Sequence, residues 1–163
     1  MRTLSRTQIK KDILSFLKKN GIMTLATKSI KGPWACTVYY GVDDAMNLYI
    51  VTDPDSTHGK NMIKNCKVAF TIFDSHQKVD GLKRGIQGSG TIKVLKTREG
   101  ISEALALWHK QNPGIEGRIT ADIVETSSDT KVFEIAPSYL KFYNKELYGH
   151  EEYGVWEAEP PAR

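Results

Sequence analysis

The chain carries at residues 48–62 the stretch Leu48-Tyr49-Ile50-Val51-Thr52-Asp53-Pro54-Asp55-Ser56-Thr57-His58-Gly59-Lys60-Asn61-Met62, which changes character half-way along. Its first part is rich in the β-branched and aromatic residues that favour strands. Its second part opens with Asp and Ser residues, which are preferred at helix N-termini. We therefore predict a strand over residues 47–52 and a short helix over residues 56–65.

The junction between this strand and this helix is a candidate anion site. The first N–H groups of a helix have no partner within it, and the helix dipole favours a negative charge there. Ser56, Thr57, His58 and Lys60 add side-chain donors at the same point. An ordinary capped helix has the same residue types, so the pattern alone leaves both interpretations open.

Outward from this junction, hydrophobic periodicity divides the rest of the chain into strands and helices. The first helix is predicted to begin at a Ser5 cap and to end where Gly21 supplies a left-handed stop. A later helix is predicted over residues 97–111, with Trp108 on its core side. Further strands are predicted over residues 22–27, 34–42, 67–74, 85–95, 131–135 and 139–143, with a short helix near 119–124. Six or seven short strands without regular strand–helix alternation favour a mainly β fold, an antiparallel barrel with flanking helices.

The composition is that of a single globular domain. The chain has 163 residues, of which 40% are hydrophobic and 26% charged, enough for one substantial core. No linker or repeat divides it, so we predict one domain over residues 1–163, with a core over about 7–145 and a C-terminal tail over 146–163. The net charge of +4 is dispersed along the chain, which suits an anionic small ligand and gives no basis for nucleic-acid binding.

The sequence also limits location and thiol chemistry. Residues 1–6 lack the apolar core of a signal peptide, and no segment has the length of a membrane span, so we expect a cytoplasmic protein with no membrane partner. Cys36 and Cys66 have neither metal-site spacing nor the density of a disulfide scaffold, so reduced thiols are expected and no metal site is predicted. We interpret Cys36 as a buried structural residue, with a catalytic thiol as the alternative.

The order of these segments carries more information than any one of them. The chain presents in succession Met23-Thr24-Leu25-Ala26-Thr27, the strand over 34–42, the segment 48–54 and the helix start over 56–61. Further on come Arg84-Gly85-Ile86-Gln87-Gly88-Ser89-Gly90 and Val132-Phe133-Glu134-Ile135 with Leu140-Lys141-Phe142. This series resembles the flavin-binding split barrels related to pyridoxamine 5'-phosphate oxidase, and looks most like a small, poorly characterised branch rather than the oxidase itself. The resemblance implies a six- or seven-stranded antiparallel split β-barrel with flanking helices.

The same resemblance implies FMN bound at the interface of a homodimer, with its isoalloxazine ring against the second and third strands. It assigns Cys36, Thr37 and Val38 to the isoalloxazine ring, and Val51 and Thr52 to the ribityl chain. Around the phosphate it places Ser56, Thr57, His58 and Asn61, with Lys60 as a further charge. It also implies that Arg84 and Gln87 approach the flavin closely, often across the dimer.

Some of these positions depart from the family's pattern or allow another interpretation. Many relatives carry lysine or arginine where this chain has Thr57 and His58, so the phosphate cradle is less charged here. A phosphate neighbour would favour the charged form of His58, which would then act as a cationic donor. For Arg84 the alternative is a surface arginine on a bulged edge strand.

The resemblance leaves the activity open between two classes. The leading hypothesis is an FMN-dependent oxidoreductase that transfers hydride to or from a small-molecule substrate. The alternative is a flavin or haem carrier or sensor without dedicated catalysis, in which His58 is the residue that would hold haem. A deazaflavin is a third candidate cofactor. No carboxylate pair and no nucleophile with a base stands out, so the catalytic residues stay unassigned.

Overall fold

The computed structural model describes residues 5–159 of the chain, which form five helices and seven strands. Residues 1–4 and the last four residues of the predicted 146–163 tail lie outside this range. The elements are α1 (Arg6–Lys19), β1 (Ile22–Ser29), β2 (Gly32–Val42), β3 (Leu48–Thr52), α2 (Thr57–Lys64), β4 (Lys67–Phe73), β5 (Arg84–Val94), α3 (Arg98–Gln111), α4 (Ala121–Thr126), β6 (Lys131–Asn144), α5 (Lys145–Tyr148) and β7 (Tyr153–Glu157), with a 3₁₀ turn at Gly149–Glu151 between the last two.

The seven strands pair antiparallel in the order β3-β2-β1-β4-β5-β6-β7. β3 also pairs with β6, so Ile50 of β3 faces Tyr40 of β2 on one side and Phe133 of β6 on the other. Six strands therefore close into a ring, and β7 pairs with the second half of β6, beyond the part that β3 uses. The predicted fold class, mainly antiparallel β with flanking helices, is confirmed.

The core fills the inside of this ring. Buried and exposed residues alternate along β1, β4 and β5, which is the period-two pattern of half-buried strands. α1 covers one end of the ring, where Leu17 is buried and the hydroxyl of Tyr40 donates to the Leu17 carbonyl at 2.8 Å. Among the described residues, no helix combines the length and the apolar character that crossing a bilayer requires.

The first helix begins as predicted and ends differently. Ser5 caps it by accepting a hydrogen bond from the N–H of Gln8 at 3.2 Å. The predicted left-handed stop at Gly21 is wrong, because Asn20 ends the helix in an extended conformation and Gly21 has no positive φ. The small size of Gly21 serves a close approach instead, since a Cβ there would lie 2.7 Å from Oδ1 of Asn112.

The C-terminal part also departs from prediction. The two strands expected over 131–135 and 139–143 are one continuous strand, β6. It stays paired with β5 along its length through a register shift between Ser89 and Gly90. Gly90 faces Pro137 there, and a Cβ on this glycine would lie 2.8 Å from the proline Cα. The glycine therefore absorbs an irregularity that the sequence presents as a strand break. The predicted tail contains α5 and β7, which sequence periodicity did not reveal.

α3 lies directly on β2 at Gly41. The indole N–H of Trp108, buried as predicted, donates to the Tyr39 carbonyl at 3.2 Å, and the amide of Asn112 donates to the Tyr40 carbonyl at 2.8 Å. A Cβ on Gly41 would lie 2.6 Å from the backbone N and Cα of Trp108. Only glycine permits this distance between the helix and the strand.

We predict that Gly41→Ala destabilises the protein, because its Cβ meets helix backbone that cannot yield without moving α3. The expected loss is about 1–3 kcal/mol in the free energy of unfolding, measured by urea denaturation. Gly117→Ala is the matched control, since its Cβ would meet nothing within 4 Å, and it should change stability by less than about 0.5 kcal/mol. Equal stability of the two variants would show that α3 does not rest on β2 in this way.

Candidate functional site

The strand–helix junction predicted from residues 48–62 is a tight corner between β3 and α2. Ser56 caps the helix: its hydroxyl accepts from the N–H of Gly59 at 3.1 Å and donates to the Asp53 carbonyl at 2.7 Å. Gly59 packs beneath the turn so closely that a Cβ would lie 2.6 Å from the Pro54 carbonyl oxygen. The first intrahelical bond runs from Lys60 to Ser56, which leaves the N–H groups of Thr57 and His58 for other partners.

His58 turns back towards the end of β3. Its Nε2 lies 2.6 Å from the Thr52 hydroxyl, and the Ser56 hydroxyl lies 3.3 Å from both ring nitrogens. Partial burial lowers the pKa of His58, and the charge of Asp53 opposes this only in part. With these neighbours alone the imidazole is neutral at pH 7, so the cationic form expected from the sequence requires an added anion.

Asn61 holds α2 against the ring. Its side chain is only 7% exposed, and its amide donates to the Thr27 hydroxyl on β1 at 3.1 Å. Thr57 and Lys60 lie on the same face of α2, and Lys60 Nζ is 3.6 Å from a carboxylate oxygen of Asp55. Asn61 is therefore a structural tie between helix and strand, whereas Thr57 and Lys60 face outward.

Beside this face is a cavity of about 640 Å³, which we call the lysine groove. It lies between α2 and the turn that joins β1 to β2. Its lining residues are Lys28, Ser29, Ile30, Lys31, Thr57, Lys60, Asn61, Lys64 and Asn65. Three of the predicted phosphate residues therefore also line a wider cationic groove.

The three positions predicted on β2 have different environments. Val38 is buried in the ring, at 8% exposure. The Cys36 thiol is half-buried, 3.8 Å from the Leu25 carbonyl, and burial raises its pKa. A thiol held protonated suits a structural cysteine better than a catalytic one. Thr37 lies on the outer face of the sheet, where it pairs with Thr24 of β1.

Thr37 belongs to a polar row that crosses the outer face of the sheet. Thr24 pairs with Thr37 on one side and with Thr71 of β4 on the other, and Thr71 pairs with Gln87 of β5. Two predicted cofactor positions, Thr37 and Gln87, thus share one row three strand spacings apart, roughly 14 Å. We call Thr37, Thr24, Thr71 and Gln87 the outer row.

Arg84 lies away from the corner. It begins β5 opposite Asn144, its guanidinium pairs with Glu146, and it lines a separate cavity of about 710 Å³ near α1. Ile92, at the far end of β5, donates to the Cys66 carbonyl just after α2. Within one chain, Arg84 and the C-terminal end of α2 are therefore at opposite ends of β5.

The corner itself gathers most of the predicted ribityl and phosphate residues. Val51 and Thr52 end β3 half-buried, opposite Val132 and Lys131 of β6. Sequence reasoning missed the groove residues Lys28, Lys31 and Lys64 and the outer-row residues Thr24 and Thr71. The helical spacing of residues 57, 60, 61 and 64 was a usable signal for one groove wall. The packing of the β1–β2 turn beside α2 had no local signal.

Sequence relatives agree with the branch predicted above. A UPF0306 protein of Pasteurella multocida is 36% identical over 81 residues, covering 49% of this chain and 54% of that protein. A UPF0306 protein of Yersinia enterocolitica is 35% identical over 85 residues, covering 52% of this chain and 57% of that protein. The chain thus spans about half the length of the curated relatives it matches, and their family name states no activity.

Solved structures show the same fold at low identity. A haem-binding protein from Mycobacterium smegmatis superposes with a TM-score of 0.73 at 16% identity, covering 96% of this chain and 60% of that one. A NimC/NimA family protein from Clostridium acetobutylicum gives 0.67 at 20% identity, covering 93% of each. HutZ, a haem storage protein from Vibrio cholerae, gives 0.64 at 14% identity, covering 79% of this chain and 89% of that one.

A family model described as pyridoxamine 5'-phosphate oxidase matches residues 9–144, which run from α1 to the end of β6. The match includes the whole ring, the corner at the head of α2 and the outer row. On this match, the chain belongs to the pyridoxamine 5'-phosphate oxidase family.

Proposed function

We propose that this protein binds FMN at the β3–α2 corner and works as a homodimeric oxidoreductase on a small molecule. The observation that carries the proposal is the head of α2, where the first-turn N–H groups of Thr57 and His58 have no partner within the helix. Thr57 and Lys60 lie on the outward side of this turn, and His58 turns back to Thr52 on its other side. Bound FMN would supply a ring that accepts or gives up hydride. The chain's own residues would bind the phosphate of FMN and position its isoalloxazine ring.

The donor set at the corner fits a phosphate dianion. A helix N-terminus offers oriented N–H groups and a favourable dipole, and Lys60 adds a full positive charge. His58 is neutral beside Thr52 and Ser56, but an anion at the helix head would stabilise its protonated form. His58 would then become a charged donor at the moment of binding, in place of the lysine or arginine of many relatives.

The outer face of the sheet fits a planar ring and a second subunit. Its central residues are small and uncharged: Ala26, Ala35 and Ala69 lie beside the outer row. Large apolar side chains are exposed at one end of the same face, where Tyr39 is 56% and Phe73 is 50% exposed. An apolar face of this kind is typical of a protein interface. A second copy placed against this face would exclude water from the isoalloxazine ring and would bring its own Gln87 close to the flavin.

A haem carrier is the second candidate, because two of the similar structures are described as haem-binding and haem storage proteins. His58 is the candidate ligand, and its Nε2 would have to leave the Thr52 hydroxyl to reach an iron. An absorption spectrum separates the candidates, since haem gives a Soret band and FMN does not. Mass spectrometry of the extracted ligand distinguishes FMN from a deazaflavin.

We predict that His58→Ala/Lys60→Ala weakens FMN binding at least tenfold, because charge-assisted hydrogen bonds contribute roughly 1.5 to 3 kcal/mol each. Fluorescence quenching of FMN measures the dissociation constant. The matched control is His76→Ala/Lys78→Ala, which removes the same residue types at the same spacing from an exposed loop and should leave affinity within twofold. Wild-type protein that neither quenches nor shifts the spectrum of FMN would refute the proposal.

We also predict that FMN raises the pKa of His58. Burial holds this pKa below 6.5 in the protein alone, so the ring gains its proton only at acidic pH. A phosphate beside it favours the charged form, so FMN should move the titration midpoint of His58 upward. Histidine ring signals in an NMR titration report the midpoint. Riboflavin, which lacks the phosphate, is the control ligand. If neither FMN nor riboflavin moves the titration midpoint of His58, the phosphate does not bind beside this residue.

For the dimer, we predict that Ala69→Glu shifts the protein towards monomer. The new carboxylate would lie on the outer face between Ala26 and Ser89 and would lose its hydration when a second copy covers that face. Ala106→Glu makes the same change at an exposed position on α3 and should leave the mass unchanged. Light scattering coupled to size-exclusion chromatography measures both. A wild-type monomer at micromolar concentration would contradict the dimer proposal.

A further inference from the structure

The lysine groove brings together four ammonium groups from two separate elements. Lys28 and Lys31 come from the end of the β1–β2 hairpin, and Lys60 and Lys64 come from one face of α2. Among the residues that line the groove within the described chain, none is a carboxylate. Asp55, 3.6 Å from Lys60, lies outside the lining. Such clustering of like charge costs energy unless an anion offsets it.

Both walls of the groove are fixed to the same strand. The hairpin turns through Ile30 and Lys31, where the Lys31 N–H donates to the Ser29 hydroxyl at 3.1 Å and Gly32 closes the turn with a φ of 117°. The opposite wall is tied down by the hydrogen bond from Asn61 to Thr27. The four lysine side chains are flexible, but their attachment points are held across the groove from one another.

The number of charges exceeds what one terminal phosphate requires. A phosphate at the head of α2 carries two negative charges and has Thr57, Lys60 and the helix N–H groups available. Lys28, Lys31 and Lys64 remain for a second anionic group. The volume of about 640 Å³ is that of a site for a whole small-molecule ligand rather than one ion. Ile30, fully exposed at the rim, offers apolar surface for a flat ring.

From these features we infer that the lysine groove is a binding site for a nucleotide carrying two or more phosphate groups. Lys28, Lys31 and Lys64 pair with its phosphate oxygens, and Ile30 packs against its base. The inference concerns residues on the hairpin and on the exposed side of α2, so it does not depend on FMN occupying the corner.

The test uses ADP as the probe and isothermal titration calorimetry at low ionic strength. Lys28→Gln/Lys31→Gln should weaken ADP binding at least tenfold, because both substitutions remove a charge from the groove and leave its shape. The matched control, Lys78→Gln/Lys83→Gln, removes the same net charge from an exposed loop and should change affinity less than twofold. All four positions are exposed, and thermal melts verify that both variants fold.

Three further measurements make the outcome decisive. Inorganic phosphate should bind more weakly than ADP, and ADP affinity should fall as NaCl is raised, because exposed charges are screened. FMN affinity of Lys28→Gln/Lys31→Gln should stay within about threefold of wild type. A parallel loss of FMN binding would overturn the inference, since the lysines would then belong to the flavin site. Equal ADP affinity in both double variants, or none in wild type at millimolar ADP, would also overturn it. If the wild-type protein binds ADP through these lysines but does not bind FMN, the proposed function is refuted and this inference stands.

Discussion

The pairing of β3 with both β2 and β6 is the constraint on which the rest of the structure depends. Ile50 faces Tyr40 on one strand and Phe133 on the other, so this short strand closes the ring and encloses its core. α2 starts only five residues after β3 ends, which leaves the corner little freedom. The Ser56 cap and the close contact at Gly59 then set the direction of the helix. Ring closure thus positions the first turn of α2, although that turn contributes little to the core.

A second tie, from Asn61 to Thr27, links the corner to the lysine groove. This hydrogen bond is buried, so breaking it would leave the amide N–H of Asn61 unpaired, at a cost of about 1–3 kcal/mol. Because β1 also leads into the hairpin that carries Lys28 and Lys31, one strand supports both walls of the groove.

Local chemistry predicted much of this fold, and long-range packing accounts for what it did not predict. The Ser5 cap, the start of α2 near Ser56 and the alternating strands were readable because each depends on neighbouring residues. The continuity of β6 was not, because the register shift opposite Pro137 is accommodated by Gly90 on another strand. The corner residues were predicted together because they adjoin in sequence. The groove was missed because its two walls lie about thirty residues apart, and nothing in residues 28–31 indicates that they face α2.

The corner and the groove hold two kinds of positive group, and this difference bears on how each attracts an anion. The groove lysines are exposed, so their field acts before any ligand arrives and favours its approach. His58 is partly buried and neutral, so it contributes no charge until an anion is already in place. In the proposed corner site, Lys60 and the helix dipole would therefore attract the anion first, and His58 would respond only after the ligand arrives. Since Thr57, Lys60 and Asn61 border both, an anion held in the groove would lie against the same face of α2 that carries Lys60 at the proposed phosphate site.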